Sequence, residues 1–375
     1  MVVALLIPFS PLIFTFLFYS CRRLTPLLHS RNDVTLSFSP TQLTRREIGI
    51  VLLLFILRSL SHIISTLWRF ATYQKTPSEL IGSDVDHEIT ISMPLRTTQE
   101  DVSKYIRAVQ AEHVNSFQWT NVQHLMVLSA WAEPAMLLLL ATRACKVRPL
   151  GAVNVRNRME LLRPDICKPD DLGHIDRAII SASYTKAVRR VKRGLEIDLI
   201  VSLNLPDQKG TLTTVFRQVF TLLEFTNTAP ISLEASKPVQ QTPAWQLLLQ
   251  ATFLMRHQEP SLWANVCKDY NLIHTSSIAA KVLGFRGKLA HGNHVVAMAW
   301  AALREANNEA DDTALSMTLE PIWLEVSFKR PIIMPARLDA LSGHTLLPNE
   351  SQETTNFQVV SKDQVMLAGS VGKFV

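Results

Sequence analysis

The stretch 269–292 decides the fold, and it reads DYNLIH at 269–274, TSSIAAKVL at 275–283 and GFRGKLAHG at 284–292. Its first part carries a carboxylate, an amide and an imidazole, those of Asp269, Asn271 and His274. Directly after Gly292, an apolar pattern predicts a helix over 294–303. Two groups that can transfer protons therefore precede a helix start, whose N–H groups can stabilise developing negative charge. We expect a site for water addition or removal next to a carbonyl.

This pattern, Asp-x-Asn-x-x-His followed by Gly-Phe and then Ala-His-Gly, resembles that of the R-specific enoyl-CoA hydratases, or MaoC-like dehydratases. The resemblance implies a hot-dog fold, in which a curved antiparallel sheet wraps around one long helix. It also implies roles for the motif residues. Asp269 and His274 would activate or protonate the water, Asn271 would support them, and the N–H of Gly292 would bind the thioester oxygen.

Two further residues of the stretch, Phe285 and His291, are weaker candidates for substrate binding. The other interpretation of His291 is structural, with its ring bonded to backbone. The loop also departs from the family, which usually has Ser-Gly before the Asp and Pro after the Asn. Here Cys267-Lys268 and Leu272 occupy those positions, which changes the backbone preferences of the loop. The three polar positions are kept, so we predict an active site with an altered loop.

The order of predicted elements indicates an α+β chain with two hot-dog units in tandem. A long apolar helix, predicted from Pro134 to Cys145, and then a meander of strands form the unit at 85–230. The same order recurs at 244–375, the unit that holds the motif. In the first unit Trp119 stands where the Asp would be, and only Asn121 and His124 remain of the polar pattern. We therefore expect the first unit to be a degenerate partner of a catalytic second unit.

The N-terminal region, residues 1–80, carries two apolar segments. Residues 1–21 have no charged side chain and are about long enough to span a bilayer. Residues 48–70 are apolar with a polar stripe at helical spacing, formed by Arg58, His62, Ser65 and Arg69. We expect this second segment to lie in a membrane interface, with a second span as the alternative. The basic residues between the segments favour a folded part that faces the cytoplasm.

Composition limits the partners. The chain has 375 residues, 47% of them hydrophobic, and a net charge of +6. Anionic partners are therefore expected: acyl-CoA, an acyl-carrier protein or membrane lipid through the N-terminus. No basic stripe with interleaved aromatic residues is present, so nucleic acid is not expected. The four cysteines lie far apart in the sequence, which argues against a zinc site or a disulfide framework. Because no metal-ligand cluster or glycine-rich dinucleotide loop is seen, we expect no cofactor, and either a monomer or a homodimer.

The resemblance favours one reaction, the reversible hydration of trans-2-enoyl thioesters to (R)-3-hydroxyacyl thioesters by a membrane-tethered protein in lipid metabolism. The thioester and the stereochemistry come from the resemblance alone. A second hypothesis is a membrane-associated acyl-binding or scaffold protein with an inactive site, which the altered loop favours. A hot-dog thioesterase is a third hypothesis, which the Asp-x-Asn-x-x-His pattern disfavours.

Overall fold

The computed structural model of the chain describes residues 22–29, 33–71, 89–110, 117–142, 145, 147–225, 245–306, 320–345 and 354–374. Its α-helices are α1 Thr25–His29, α2 Arg45–Ala71, α3 Gln99–Val109, α4 Asn121–Ala141, α5 Glu259–Cys267, α6 Leu272–Thr275, α7 Ser277–Val282 and α8 Gly292–Ala306. Its strands are β1 Val34–Thr35, β2 Thr90–Leu95, β3 Ala152–Leu161, β4 Ala178–Val191, β5 Gly194–Pro206, β6 Leu212–Phe225, β7 Trp245–Met255, β8 Ile322–Phe328, β9 Ala336–Thr345, β10 Thr354–Ser361 and β11 Gln364–Lys373.

Within these residues the strands form one sheet of eleven, in the order β1-β2-β4-β5-β6-β3-β8-β11-β10-β9-β7. Strands of the first half lie on one side of this order and strands of the second half on the other. The halves meet where β3 pairs antiparallel with β8, in a register from Arg156 opposite Ser327 to Leu161 opposite Ile322. The sheet is antiparallel throughout, except that β1 pairs parallel with β2. The predicted α+β class is therefore confirmed, while the boundaries at 230 and 244 stay a prediction.

The long helix of the first half is α4, which packs against β4 and β5 and is buried over its whole length. Its predicted start at Pro134 was wrong, because the helix begins thirteen residues earlier at Asn121. Thr120 caps this start by accepting a hydrogen bond from the N–H of Gln123 at 3.1 Å. Pro134 instead lies inside the helix. Neighbours on every side of α4 stabilise it there despite the lost hydrogen bond.

The long helix of the second half is α8, which packs against β7 and β9 and also contacts α4. Its buried face carries Val295, Val296, Trp300 and Leu303. Trp300 meets Phe357 of β10 edge to face, with ring centroids 5.3 Å apart. Each half therefore wraps its own strands around one long helix, as a hot-dog unit does.

The N-terminal region is partly integrated into this fold. Residues 1–21 lie outside the described residues, so the predicted bilayer segment there is not tested. Helix α2, however, packs on α4 and buries Ile48, Val51 and Phe55. The guanidinium of Arg58 donates hydrogen bonds to the backbone oxygens of Leu140, Cys145 and Val147.

These contacts correct the expectation of a membrane-associated segment at 48–70. Its first third is covered by protein, and Arg58 bonds to carbonyls instead of lying among lipid headgroups. Among the helices that the structure describes, only α4 is long and apolar enough to cross a bilayer, and all of α4 is buried inside the protein. The predicted polar stripe thus has a structural partner at Arg58. The membrane-associated character of region 1–80 has no support from its described residues.

Candidate active site

The altered loop begins where α5 ends. Helix α5 closes at Lys268, whose φ of 58° is left-handed and whose N–H bonds the oxygen of Ala264 at 3.0 Å. Non-glycine residues adopt this conformation at a cost of about 1–2 kcal/mol. The Lys268 side chain lies largely buried, and its Nζ donates to the oxygen of Asn265 at 2.8 Å. The turn therefore forms without glycine because the lysine side chain is held along the end of the helix.

The Asp269 carboxylate lies at the centre of the site. Its Oδ1 accepts a hydrogen bond from the N–H of Asn271 at 3.0 Å. Its Oδ2 faces two imidazoles, at 3.9 Å from His274 Nε2 and 3.8 Å from His291 Nε2. The backbone N–H of Asp269 points back to the Cys267 sulfur at 3.5 Å. One carboxylate oxygen is therefore fixed by the loop, and the other faces the proton-transfer groups.

His274 lies on the short helix α6. Asn271 caps this helix, because its side-chain oxygen accepts from the N–H of Ile273 at 3.3 Å. The His274 Nδ1 lies 3.0 Å from the carbonyl oxygen of Leu289. A carbonyl oxygen only accepts, so in the neutral ring the proton is on Nδ1 and the lone pair is on Nε2. His274 therefore presents a proton acceptor to the side where Asp269 Oδ2 lies.

The His291 ring lies over that of His274, with centroids 3.9 Å apart. Its Nε2 donates to the carbonyl oxygen of Asp269 at 3.0 Å. Burial, and then the proximity of the His274 imidazole, hold the pKa of His291 well below its usual range, which favours the neutral ring. The structure thus brings His291 into the site with a backbone bond, in line with the structural interpretation of the sequence.

Gly292 is the first residue of α8, so its N–H is among those without a partner inside the helix. A Cβ at this position would lie 2.4 Å from Cε1 of Phe328. The ring of Phe328, from the end of β8, therefore packs directly against the helix start. A site at the positive end of α8 and next to the two imidazoles can stabilise an oxyanion.

The structure separates the roles predicted for the other candidates. Asn271 supports Asp269 through its backbone N–H, while its side chain is engaged in capping α6. Phe285 is half-buried just after α7, where its N–H bonds the oxygen of Ala280 at 2.9 Å. Its role in substrate binding stays a prediction. Asn121 and His124 of the first half are buried in the core, and burial lowers the pKa of His124 to about 3.

Asp269, His274 and His291 offer ligand atoms within 4.8 Å of one another, a spacing that could hold a metal ion. The bonding works against this use. His291 Nε2 donates its proton to the backbone oxygen of Asp269 and His274 Nδ1 donates to that of Leu289, so the lone pair of His291 is on Nδ1 and that of His274 is on Nε2, the atom that faces the carboxylate. This arrangement can transfer a proton to or from a small molecule between His274 Nε2 and Asp269 Oδ2.

Sequence reasoning missed one group beside the site, Glu133 of α4. It is buried, and the Asp269 charge acts on its carboxyl group. The available signal was a lone carboxylate within the apolar run of residues 121–141, since such a residue is rarely buried without a partner.

Comparison with known proteins agrees with this geometry. Residues 232–363 match the family model described as MaoC like domain. The 3-hydroxyacyl-thioester dehydratase X of Mycobacterium tuberculosis is 27% identical over 227 residues, which cover 60% of this chain and 70% of that protein.

Three solved structures share the fold. A MaoC-like dehydratase superposes with a TM-score of 0.55 at 16% identity, over 76% of this chain and 98% of the other. A MaoC-like dehydratase from Phytophthora capsici has a TM-score of 0.52 at 15% identity, over 77% and 95%. HtdX from Mycobacterium tuberculosis has a TM-score of 0.50 at 20% identity, over 75% and 98%. By its match to the MaoC like domain over residues 232–363 and by its fold, the chain is similar to the MaoC-like dehydratases.

Proposed function

We propose that this protein catalyses the reversible hydration of trans-2-enoyl thioesters to (R)-3-hydroxyacyl thioesters. One observation carries the proposal: the lone pair of His274 Nε2 faces Asp269 Oδ2 at 3.9 Å, beside the start of α8. The similarity to a dehydratase of 3-hydroxyacyl thioesters supports the substrate class. The R configuration rests on the family resemblance, because the distances within the site do not determine the stereochemistry of the product.

The spacing of the two groups suits one water molecule. A water about 2.8 Å from each of two atoms 3.9 Å apart has both hydrogen bonds near ideal length. His274 Nε2 takes a proton from this water while its oxygen adds to C3 of the enoyl group. The carboxylate of Asp269 holds the second hydrogen and orients the oxygen. The proton then returns from the pair to C2, so atoms and charge balance in both directions.

Charge develops on the thioester oxygen as the new C–O bond forms. The N–H of Gly292 at the start of α8 stabilises this charge. Close packing of Phe328 on Gly292 fixes the position of that N–H relative to the two proton-transfer groups. No step requires a redox group.

The test uses the full chain with a short and a long trans-2-enoyl-CoA, and follows the loss of the enoyl absorbance. Asp269→Asn and His274→Gln should each lower kcat by about 10²–10⁴-fold, because each removes a proton-transfer group. Asp363→Asn and His257→Gln, at exposed positions, are matched controls and should keep full activity. Release of free thiol would indicate a thioesterase and refute the hydratase proposal.

The acyl-binding hypothesis keeps one observation in its favour, the left-handed Lys268 in the altered loop. It predicts that both enoyl-CoA substrates raise the melting temperature of the protein while their absorbance stays constant. Turnover that both Asp269→Asn and His274→Gln abolish would exclude it. Turnover measured with acyl-carrier-protein thioesters in place of CoA would then define the carrier.

We also propose that residues 1–21 associate with a membrane and that the folded part faces the cytoplasm. The uncharged length of this segment and the arginines that follow it support the proposal. Carbonate extraction of membranes from expressing cells, followed by protease treatment of sealed vesicles, tests both parts. Recovery of the protein in the soluble fraction before extraction would contradict membrane association. In vesicles whose cytoplasmic face is outside, protection of the folded part from external protease would contradict the cytoplasmic orientation.

A further inference from the structure

A buried polar network joins the two halves beneath the active site. Asn157 of β3 donates to the side-chain oxygen of Asn293 on α8 at 2.7 Å. Asn293 donates in turn to the hydroxyl of Ser129 on α4 at 3.2 Å. All three side chains are buried. A network of this kind fixes the positions of its members, because each polar group would be costly to leave unpaired.

Glu133 belongs to the same network, one helical turn after Ser129. Its carboxyl group lies near the amide of Asn293 and the thiol of Cys267, which are both possible hydrogen-bond donors to it. Its side chain is 8% exposed, and its Oε2 has no partner among the described residues. Burial and then the charge of Asp269 hold the pKa of Glu133 well above its usual range, which favours the neutral carboxyl group.

The two partners of Glu133 adjoin the catalytic groups in sequence. Cys267 accepts the N–H of Asp269 on its sulfur at 3.5 Å, so Glu133, Cys267 and Asp269 form a chain of contacts. Asn293 directly follows Gly292 at the start of α8. The carboxyl group of Glu133 therefore lies between the loop that carries the proton-transfer pair and the helix start that carries the oxyanion N–H.

We propose that Glu133 is a positioning residue of the active site, supplied by the half that lacks the Asp-Asn-His motif. Through Cys267 it holds the backbone of Asp269, and through Asn293 it holds the start of α8 at Gly292. The proposal rests on the hydratase function, and it assigns the first half a part in catalysis besides packing. Only a neutral, hydrogen-bonding side chain serves this role, because a second negative charge beside Asp269 would disfavour the ionised form of that carboxylate.

Two substitutions separate positioning from packing. Glu133→Gln keeps the shape and the hydrogen bonding of the neutral acid, so kcat should stay within about threefold of wild type. Glu133→Met keeps the volume without hydrogen bonds. Since it removes a buried carboxyl group, it should leave the melting temperature unchanged or raise it. It should nevertheless lower kcat by about 10–100-fold with KM nearly unchanged, because small misplacements of catalytic groups are costly.

The control is Glu224→Gln, at a buried glutamate that pairs with Arg148 through a 3.2 Å contact and takes no part in the network. It should lower stability and leave kcat unchanged. Hydrogen exchange of the amides at 269–274 is a second readout, which does not depend on turnover. Glu133→Met should speed this exchange and Glu133→Gln should not.

The outcomes distinguish the inference from the proposed function. If wild-type protein turns over the enoyl thioester and Glu133→Met does so equally well, the positioning role is overturned and the function stands. If wild-type protein shows no turnover, the function fails, and the exchange experiment alone decides whether Glu133 holds the loop. Exchange unaffected by Glu133→Met would overturn the inference in that case too.

Discussion

Replacing Gly292 by alanine gives the sharpest test of the oxyanion site. The added Cβ would lie 2.4, 2.8 and 2.9 Å from three atoms of the Phe328 ring. Carbon atoms pack at about 3.5–4.0 Å, so the ring or the helix start must move by roughly 1 Å. Such overpacking costs about 1–3 kcal/mol of unfolding free energy. A shift of that size at the N–H of residue 292 should lower kcat by about 100-fold.

The assay pairs urea unfolding with enoyl-CoA kinetics. Gly151→Ala is the matched control, since a Cβ there meets no atom within 4 Å, and both its stability and its kcat should stay near those of wild type. Adding Phe328→Leu to Gly292→Ala should restore most of the lost stability by making room for the methyl group. A Gly292→Ala protein that loses stability but keeps wild-type kcat would refute the role of this N–H in catalysis. One that keeps both would refute the close packing.

Three further outcomes follow from single contacts. Arg58→Ala should lower the unfolding free energy by about 2–3 kcal/mol, because it removes hydrogen bonds from three backbone oxygens. Arg46→Ala, at an exposed position, is the control and should change it by less than about 0.5 kcal/mol. Equal effects of the two substitutions in denaturant titrations would show that α2 does not pack on α4. Lys362→Asn combined with Asp363→Gly should raise the free energy of unfolding by about 1 kcal/mol. Both residues have positive φ, 49° and 63°, in a two-residue hairpin turn, where Asn-Gly is favoured. A lower urea midpoint would contradict this turn geometry. Burial lowers the pKa of His294 to about 4 from 6.5, so the unfolded chain binds a proton that the folded chain excludes, and stability falls as the pH drops from 6.5 towards 4. Between pH 7 and pH 5, His294→Gln should reduce the loss of unfolding free energy by about 2 kcal/mol. If the difference in unfolding free energy between the two pH values is the same in wild type and variant, this prediction is wrong.

The second half was largely predictable because its signals are local. The helix predicted over 294–303 lies within α8, Gly292–Ala306, since an apolar pattern at helical spacing is read directly from the chain. The structure places His274 Nε2 3.9 Å from Asp269 Oδ2, and His291, which precedes Gly292, contacts both residues. The assignment of protons to the two imidazoles was not predictable, because it depends on the carbonyl oxygens of Leu289 and Asp269.

The first half was less predictable for a physical reason. A helix covered on every side has no polar face, so α4 shows no helical stripe in its sequence. Proline is favoured in the first turn of a helix, which misplaced the predicted start at Pro134. Glu133 gave no motif either, because its neighbours Cys267 and Asn293 lie more than 130 residues away in sequence and only the packing of α4 against α5 and α8 brings them close.

In the segment at 48–70, the spacing of polar residues did not identify what the polar face contacts. A polar stripe on an apolar helix indicates two environments but not their identity. The sequence pattern around Arg58 suited a lipid headgroup and a ring of backbone carbonyls equally well. In the fold the carbonyls are those at the end of α4 and the loop after it.

The parallel pairing of β1 with β2 has a practical consequence for shortened versions of the protein. Removing every residue before 72 to eliminate the apolar N-terminus would also remove β1 and α2. That truncation would leave β2 as a bare edge and uncover the surface on which Ile48, Val51 and Phe55 pack. An unpaired edge strand beside newly exposed apolar surface promotes aggregation. A chain that starts at Arg22 keeps the Arg23–Glu47 ion pair and the edge strand, and it is the version expected to remain monodisperse after purification.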